Sequence, residues 1–300
     1  MVLRHGESSC RWCFDISNWV PDQTEWEFLK RLLPYGEQQE VERFMQAADK
    51  KRALVSRLMQ RRCGSIMLDI PYDDVVIKRT KGKKPFVANK TERHSTPNFN
   101  FNVSHEGDFV VLSSEPVCLT GIDVSAPTQV RRRGKEQSMA EIKRVFESSF
   151  TDREWDAVLS AASEEAQKEV FQQLWSLKEA YVKARGDGIA FELRRAEFEI
   201  LPGPPPTARL RVDGAPQRGW AFSLHALPRG HWVSVARGPP DQIVDAYGEF
   251  TATLKARDVP PDVLQSALHA EAPPFQALEL ASLVPEHRLA EFSQLGCGGR

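Results

Sequence analysis

Residues 175–188 read WSLKEAYVKARGDG, and the kind of helix they make decides how the rest of the chain is read. Val170, Leu174, Leu177, Tyr181 and Ala184 recur at helical spacing, which predicts a helix over about residues 168–185 with one buried stripe and a glycine stop. Glu179 and Lys183 fall almost opposite that stripe, one turn apart. Periodicity alone reads them as a solvated i,i+4 ion pair worth ~0.3–0.5 kcal/mol.

A second stretch changes the weight of that polar face. Residues 117–125, VCLTGIDVS, are apolar up to Asp123. A carboxylate ending a buried strand costs several kcal/mol unless a cation or hydrogen-bond donors satisfy it. Asp123 and a helix-borne Glu179 together make the partial, oxygen-only ligand set that Mg²⁺ favours, with phosphates and waters completing the shell. Upstream, residues 98–105, NFNFNVSH, alternate: Phe99, Phe101 and Val103 on one side, Asn98, Asn100, Asn102 and Ser104 on the other. That pattern predicts a strand with one buried face, paired as a hairpin with FVVLSS across the turn HEGD. Ser104 and His105 then point to opposite faces, which argues against a serine-hydrolase pair.

The first half also carries WCFDISNWV as a strand, TEWEFLKRLL as an amphipathic piece ended by Pro34, and a helix over residues 37–62 stopped by Cys63 and Gly64. VVIKRT and PFVANK flank the basic turn KGKK as a hairpin. The second half adds helices over about 138–149 and 168–185, then a meander of RRAEFEIL, ARLRVDG, WAFSLHAL and HWVSVAR. Strands, helices and hairpins occur in similar order in each half. The predicted fold class is therefore α+β: two related modules, residues 1–115 and 116–238, with a cleft between them. Residues 239–300, broken by GPPD, VPPD and APPF, read as a peripheral and partly disordered extension.

Composition narrows the function. A length of 300 residues suits two modules, and a formal net charge of −1 argues against nucleic-acid binding, which needs a large basic surplus. Basic clusters stand out at KRTKGKK (residues 78–84) and RRRGK (131–135), each a solvated loop unless a second signal marks it as an anion site. Five cysteines without a zinc-like second pair read as buried thiols of a reducing compartment, including the C-x-x-C at Cys10 and Cys13. No membrane span or signal sequence is visible, so a cytosolic protein is expected.

GID followed some fifty residues later by WSLKEAYVK resembles the paired signatures of 4′-phosphopantetheinyl transferases, and RLMQRR, KRTKGKKPF, NFNFNVSH, GDFVVL and RRAEFEI extend the likeness from about residue 12 to 237. The resemblance implies a pseudo-twofold pair of α+β modules. It also implies transfer of 4′-phosphopantetheine from coenzyme A to a serine of apo acyl or peptidyl carrier protein domains, of the fatty acid synthase and aminoadipate reductase types, by a monomer acting with Mg²⁺. Carried over residue by residue, Asp123 and Glu179 would be metal ligands, Glu179 the general base, and Lys183 a phosphate contact that stabilises the transition state. Arg79, Thr80, Lys81, Gly82, Lys83 and Lys84 would hold the nucleotide end of coenzyme A. Asn102, Val103, Ser104 and His105 would form another part of the same pocket.

Two departures accompany the likeness. Ser125 stands where many members carry a second acid, which leaves Glu106 as the candidate third metal ligand. Glu40 matches the position of a coenzyme A-binding arginine, with Arg43 one turn later as a substitute. Lys178 would support the site, and RRRGK would steer acidic carriers. The competing readings are a catalytically inactive carrier-binding scaffold of the same fold and a different nucleotide-dependent transferase.

Overall fold

A computed structural model describes residues 9–90, 96–127, 131–132 and 135–295; the side chains of 131–136 lie outside that description, and with them the proposed steering role of RRRGK. The first module comprises β1 (Cys10–Asp15), α1 (Gln23–Arg31), α2 (Tyr35–Glu42), α3 (Ala47–Leu68), the hairpin β2 (Ile77–Arg79) and β3 (Pro85–Val87), β4 (Asn100–Glu106) and β5 (Phe109–Glu115). Strand β5 runs antiparallel between β1 and β4, and α3 packs on this sheet.

The second module comprises β6 (Leu119–Ser125), the short pair β7 (Arg131–Arg132) and β8 (Lys135–Glu136), α4 (Met139–Phe146), α5 (Asp152–Leu159) and α6 (Glu164–Arg185). Strands β9 (Ala196–Leu201), β10 (Thr207–Val212), β11 (Ala215–Pro216), β12 (Ala221–Leu227) and β13 (His231–Gly238) follow. Its sheet runs β11-β10-β12-β13-β6, with β9 beside β10. Each module therefore sets a 22-residue helix, α3 or α6, against its own sheet.

Local chemistry explains most boundaries. Ser138 and Thr151 form capping boxes with Glu141 and Glu154, which start α4 and α5, and Gly186 ends α6 in the left-handed conformation at φ 81°. The expected helix over 37–62 is instead two helices, with a break at residues 43–46 that leaves Met45 and part of Phe44 exposed. Helix α3 then runs past Gly64 to Leu68. Gly64 is a notch rather than a stop: a Cβ there would lie 2.9 Å from Val87 Cγ2, so its absence admits the β2–β3 hairpin. Cys10 and Cys13, three residues apart on one strand, enter different cores, and the four described cysteines are buried and unbridged.

The C-terminal extension does not lie loose as expected. Helix α7 (Pro261–His269) is held at its C-terminal end by Arg237 of β13, whereas β14 (Gln276–Ala277), α8 (Leu280–Leu283) and α9 (Leu289–Gln294) wrap back onto the first module. There β14 pairs in parallel with β1, and Leu283, Val284 and Phe292 complete the core under α3. Short apolar segments between prolines find in that core the burial they cannot give one another.

The seam between modules is made of side chains reading a backbone. The polar face of β4, expected at the surface, lies along the free edge of β6. Asn100 and Asn102 accept the N–H groups of Thr120 and Ile122, Ser104 Oγ accepts that of Val124, and Glu106 accepts that of Ala126. An edge strand that would otherwise bury unpaired donors is thereby satisfied by its neighbour's side chains. Cys13, Phe109 and Val111 pack against Ile122, Val124, Val233 and Val235 beside it.

Candidate functional site

Two glycines bring the chemistry together. On β6, a Cβ at Gly121 would lie 2.0 Å from the carbonyl oxygen of Ala180 and 2.4 Å from the nitrogen of Ala184. Only a glycine permits α6 to lie this close on the strand, and Asp123, on the same strand face, meets the side chain of Lys183. A Cβ at Gly82 would fall 2.0 Å from the carbonyl oxygen of Gly186, so the basic turn abuts the end of α6 by the same device.

At the centre, Lys183 Nζ donates to Asp123 Oδ1 and, at 2.9 Å, to Ser104 Oγ, whose own hydroxyl donates to Asp123 Oδ1 at 2.9 Å. Burial pushes the Asp123 carboxyl up, against the pull of Lys183 and Ser104. Glu179 is raised by burial and then by the charge of Asp123. Glu106 is pushed up to about 7 by burial, with Asp123 adding to the shift and the Ala126 N–H and Lys183 opposing it. Burial is thus the largest cause at all three carboxyls, and Lys183 is the cation that opposes it at each. His105 is exposed yet flanked closely by protein; that partial burial, with Lys183 and Arg52 nearby, holds its imidazole down at about 4, so it is neutral at pH 7.

A pH dependence of stability follows. Folded-state values above the ordinary ones mean that the contribution of each carboxyl is full below its ordinary value and is lost as the pH rises through its folded one, which for Glu106 is from about 4.5 to about 7. For Glu106 the full range corresponds to on the order of 3 kcal/mol. In the presence of a chelator, the melting temperature of the wild type relative to Glu106→Gln is expected to climb as the pH falls from 7.5 to 5. A pH-independent difference between the two proteins would remove Glu106 from this account.

A cavity of about 430 Å³ opens beside these groups, with Glu179, Lys183, Asn102, Arg79 and Lys83 on its polar side. Val103, Val182, Ile189, Phe191 and Leu193 form an apolar wall. Apart from Val103, these wall residues were not singled out by sequence reasoning, although residues 188–193, GIAFEL, which carry three of them, fall within the stretch that shares the family likeness. Of the other expected binding residues, Thr80 is buried and closes the basic turn by accepting the Lys84 N–H at 3.2 Å, and Lys81 is exposed. Lys84, expected among the phosphate contacts, turns inward: its Nζ donates to the carbonyls of Thr120 and Lys183. Lys178 is also structural. It is fully buried in an ion pair with Glu154 at 2.8 Å and donates to the carbonyls of Leu193 and Ala196. Glu40 accepts from Arg57 at 2.7 Å, and the pair lines a smaller cavity of about 190 Å³ that shares Arg79 with the larger one; Arg43 is exposed at the end of α2.

Among the described residues, no three His, Cys, Asp or Glu side chains converge closely enough to enclose a metal by themselves. No described helix is long and apolar enough to cross a membrane.

Residues 17–117 match the family described as "4′-phosphopantetheinyl transferase, N-terminal", and residues 120–236 match the "4′-phosphopantetheinyl transferase superfamily". The chain is 36% identical over 237 residues to the L-aminoadipate-semialdehyde dehydrogenase-phosphopantetheinyl transferase of Rattus norvegicus, covering 77% of this chain and 75% of that protein. It is 35% identical over 229 residues to a phosphopantetheinyl transferase of Thraustochytrium sp., covering 75% and 77%. With the 4′-phosphopantetheinyl transferase psf-1 of Bacillus pumilus it shares 29% identity over 200 residues, covering 66% and 77%.

Proposed function

Because this chain belongs to the 4′-phosphopantetheinyl transferase superfamily, we propose that it transfers the 4′-phosphopantetheine arm of coenzyme A to a serine hydroxyl of apo acyl or peptidyl carrier domains. The observation that carries the reading is the placement of Glu179 and Lys183 on the cavity wall, with Asp123 buried behind Lys183 and bonded to it and the basic turn at the side. The serine oxygen attacks the pantetheine-bearing phosphorus, the pyrophosphate P–O bond breaks, and adenosine 3′,5′-bisphosphate leaves.

Glu179 is the general base. Burial and Asp123 raise its carboxyl toward the range in which it both accepts the serine proton and releases it. Lys183 stabilises the charge that grows on the phosphoryl oxygens. Arg79, Lys81 and Lys83 hold the nucleotide phosphates, and neutral His105 with Asn102 supplies further donors. The apolar wall from Val182 to Leu193 seats the pantetheine arm. The carboxylates also fit a magnesium ion: the region carries more negative charge than Lys183 balances, and this ion is commonly held by one or two carboxylates completed by substrate phosphates and water, so a closed protein cage is not required. Asp123 and Glu179 would hold it, with Glu106 reaching it through a water. When bound, it would neutralise charge on the leaving bisphosphate.

Incubation with coenzyme A, Mg²⁺ and apo carriers of the fatty acid synthase and aminoadipate reductase types should add one phosphopantetheine to the carrier by mass. Carrier that binds but gains no mass would leave a scaffold instead of an enzyme.

A further inference from the structure

The basic turn and the end of α6 come from different modules, yet they touch at two points. One is the backbone contact of Gly82 with Gly186. The other is Lys84. Its side chain, in a residue 3% exposed, crosses to β6 and α6, where Nζ lies 2.6 Å from the carbonyl oxygen of Thr120 and 3.3 Å from that of Lys183.

We propose that Lys84 is a positioning residue that caps the last turn of α6 and fixes Lys183 relative to the exposed lysines of the basic turn, instead of binding phosphate itself. The proposal rests on the transferase reading of the cleft. The last carbonyls of a helix have no partner within it. Here Val182 is met by the Gly186 N–H, Arg185 by the Val244 N–H, and Lys183 by Lys84. Cations are favoured at this end of a helix, where the backbone dipole is negative.

The surroundings suit a fastener better than a phosphate ligand. Nζ lies 5.9 Å from the centroid of the Phe250 ring, and burial pushes the amine down to about 7. A neutral amine still keeps two N–H groups. Two carbonyls await them, so the cap survives loss of the charge. Lys81 and Lys83, exposed in the same turn, are the groups placed to meet a phosphate.

Two measurements test this. In the native protein, brief acetylation with and without coenzyme A should modify Lys83 and be blocked there by coenzyme A, while Lys84 stays unmodified in both samples. Acetylation of Lys84 that coenzyme A prevents would overturn the proposal, and this readout needs no variant to fold. In kinetics, Lys84→Met should lower kcat about tenfold or more with the KM for coenzyme A changed less than threefold, whereas Lys83→Met should raise that KM. Lys84→Arg, which keeps donors over both carbonyls, should recover most of the kcat. A Lys84→Met variant whose loss lies wholly in KM would also overturn the proposal. Failure of the transferase reading would look different: the wild type itself would turn nothing over and coenzyme A would protect no lysine.

Discussion

Glu179→Gln is expected to lower kcat for phosphopantetheine transfer by on the order of 10³-fold, the usual weight of a positioned general base. The amide keeps the shape and hydrogen-bonding capacity of the carboxyl but cannot accept the serine proton. Glu179 is partly exposed and takes no part in the ladder between β4 and β6, so circular dichroism and the melting temperature should match the wild type. Burial, and after it the charge of Asp123, raises the Glu179 carboxyl. Removing the Glu179 charge relieves that repulsion, so the variant should melt no lower than the wild type in metal-free buffer. A single-turnover assay on a saturated carrier separates chemistry from product release. Undiminished single-turnover rates in Glu179→Gln would take Glu179 out of proton transfer.

Gly121→Ala should have the largest effect on the fold of any single methyl addition at the site. The new Cβ would sit 2.0 Å from one backbone atom of α6 and 2.4 Å from another, and neither belongs to a side chain that can rotate away. The strand and helix must part, at a cost of about 3 kcal/mol or more. For a chain of this size the melting temperature should fall by roughly 6–12 °C. Parting β6 from α6 also draws Asp123 away from Lys183, and a displacement of about 1 Å at a reacting centre costs on the order of 100-fold in rate. Thermal melting and kcat should therefore fall together. A variant as stable and as active as the wild type would show that strand and helix can part here without cost.

Several features of this arrangement were legible in the sequence and others were not, for physical reasons. The period of two in residues 98–105 identified β4 and its polar face. It did not say what that face touches, because the partner is the main chain of a strand twenty residues later, and backbone donors leave no trace in side-chain patterning. The polar positions on α6 were visible, but the expectation of an open helical face was too simple. Ala180, Ser176 and Lys178 are buried as well, and α6 lies between its sheet and the aromatic cluster of Phe146, Phe150 and Trp155.

Lys178 and Lys84 show why charge alone misleads. Each looked available for a ligand, and each is consumed by carbonyls that only the tertiary fold supplies. Helix α5 was announced by the T-x-x-E of its capping box, a signal that passes for loop when its apolar stripe is only two residues, Trp155 and Val158. The extension was the hardest to place, since its apolar residues have no local period and acquire meaning only against a core formed two hundred residues earlier.

The ladder along β6 has a consequence for how the two modules recognise each other. Its instructions are written on one strand only. Asn100, Asn102, Ser104 and Glu106 grip peptide groups, which every residue but proline presents alike. On the β6 side the rungs made by peptide N–H groups are blind to residue identity, so what constrains that strand is the glycine under α6, the hydroxyl of Thr120 and the carboxylate of Asp123 that meet Ser113 and Ser104, and the apolar packing of Ile122 and Val124. On β4, by contrast, each polar position is a separate word, and erasing one strands a buried donor in the middle of the molecule.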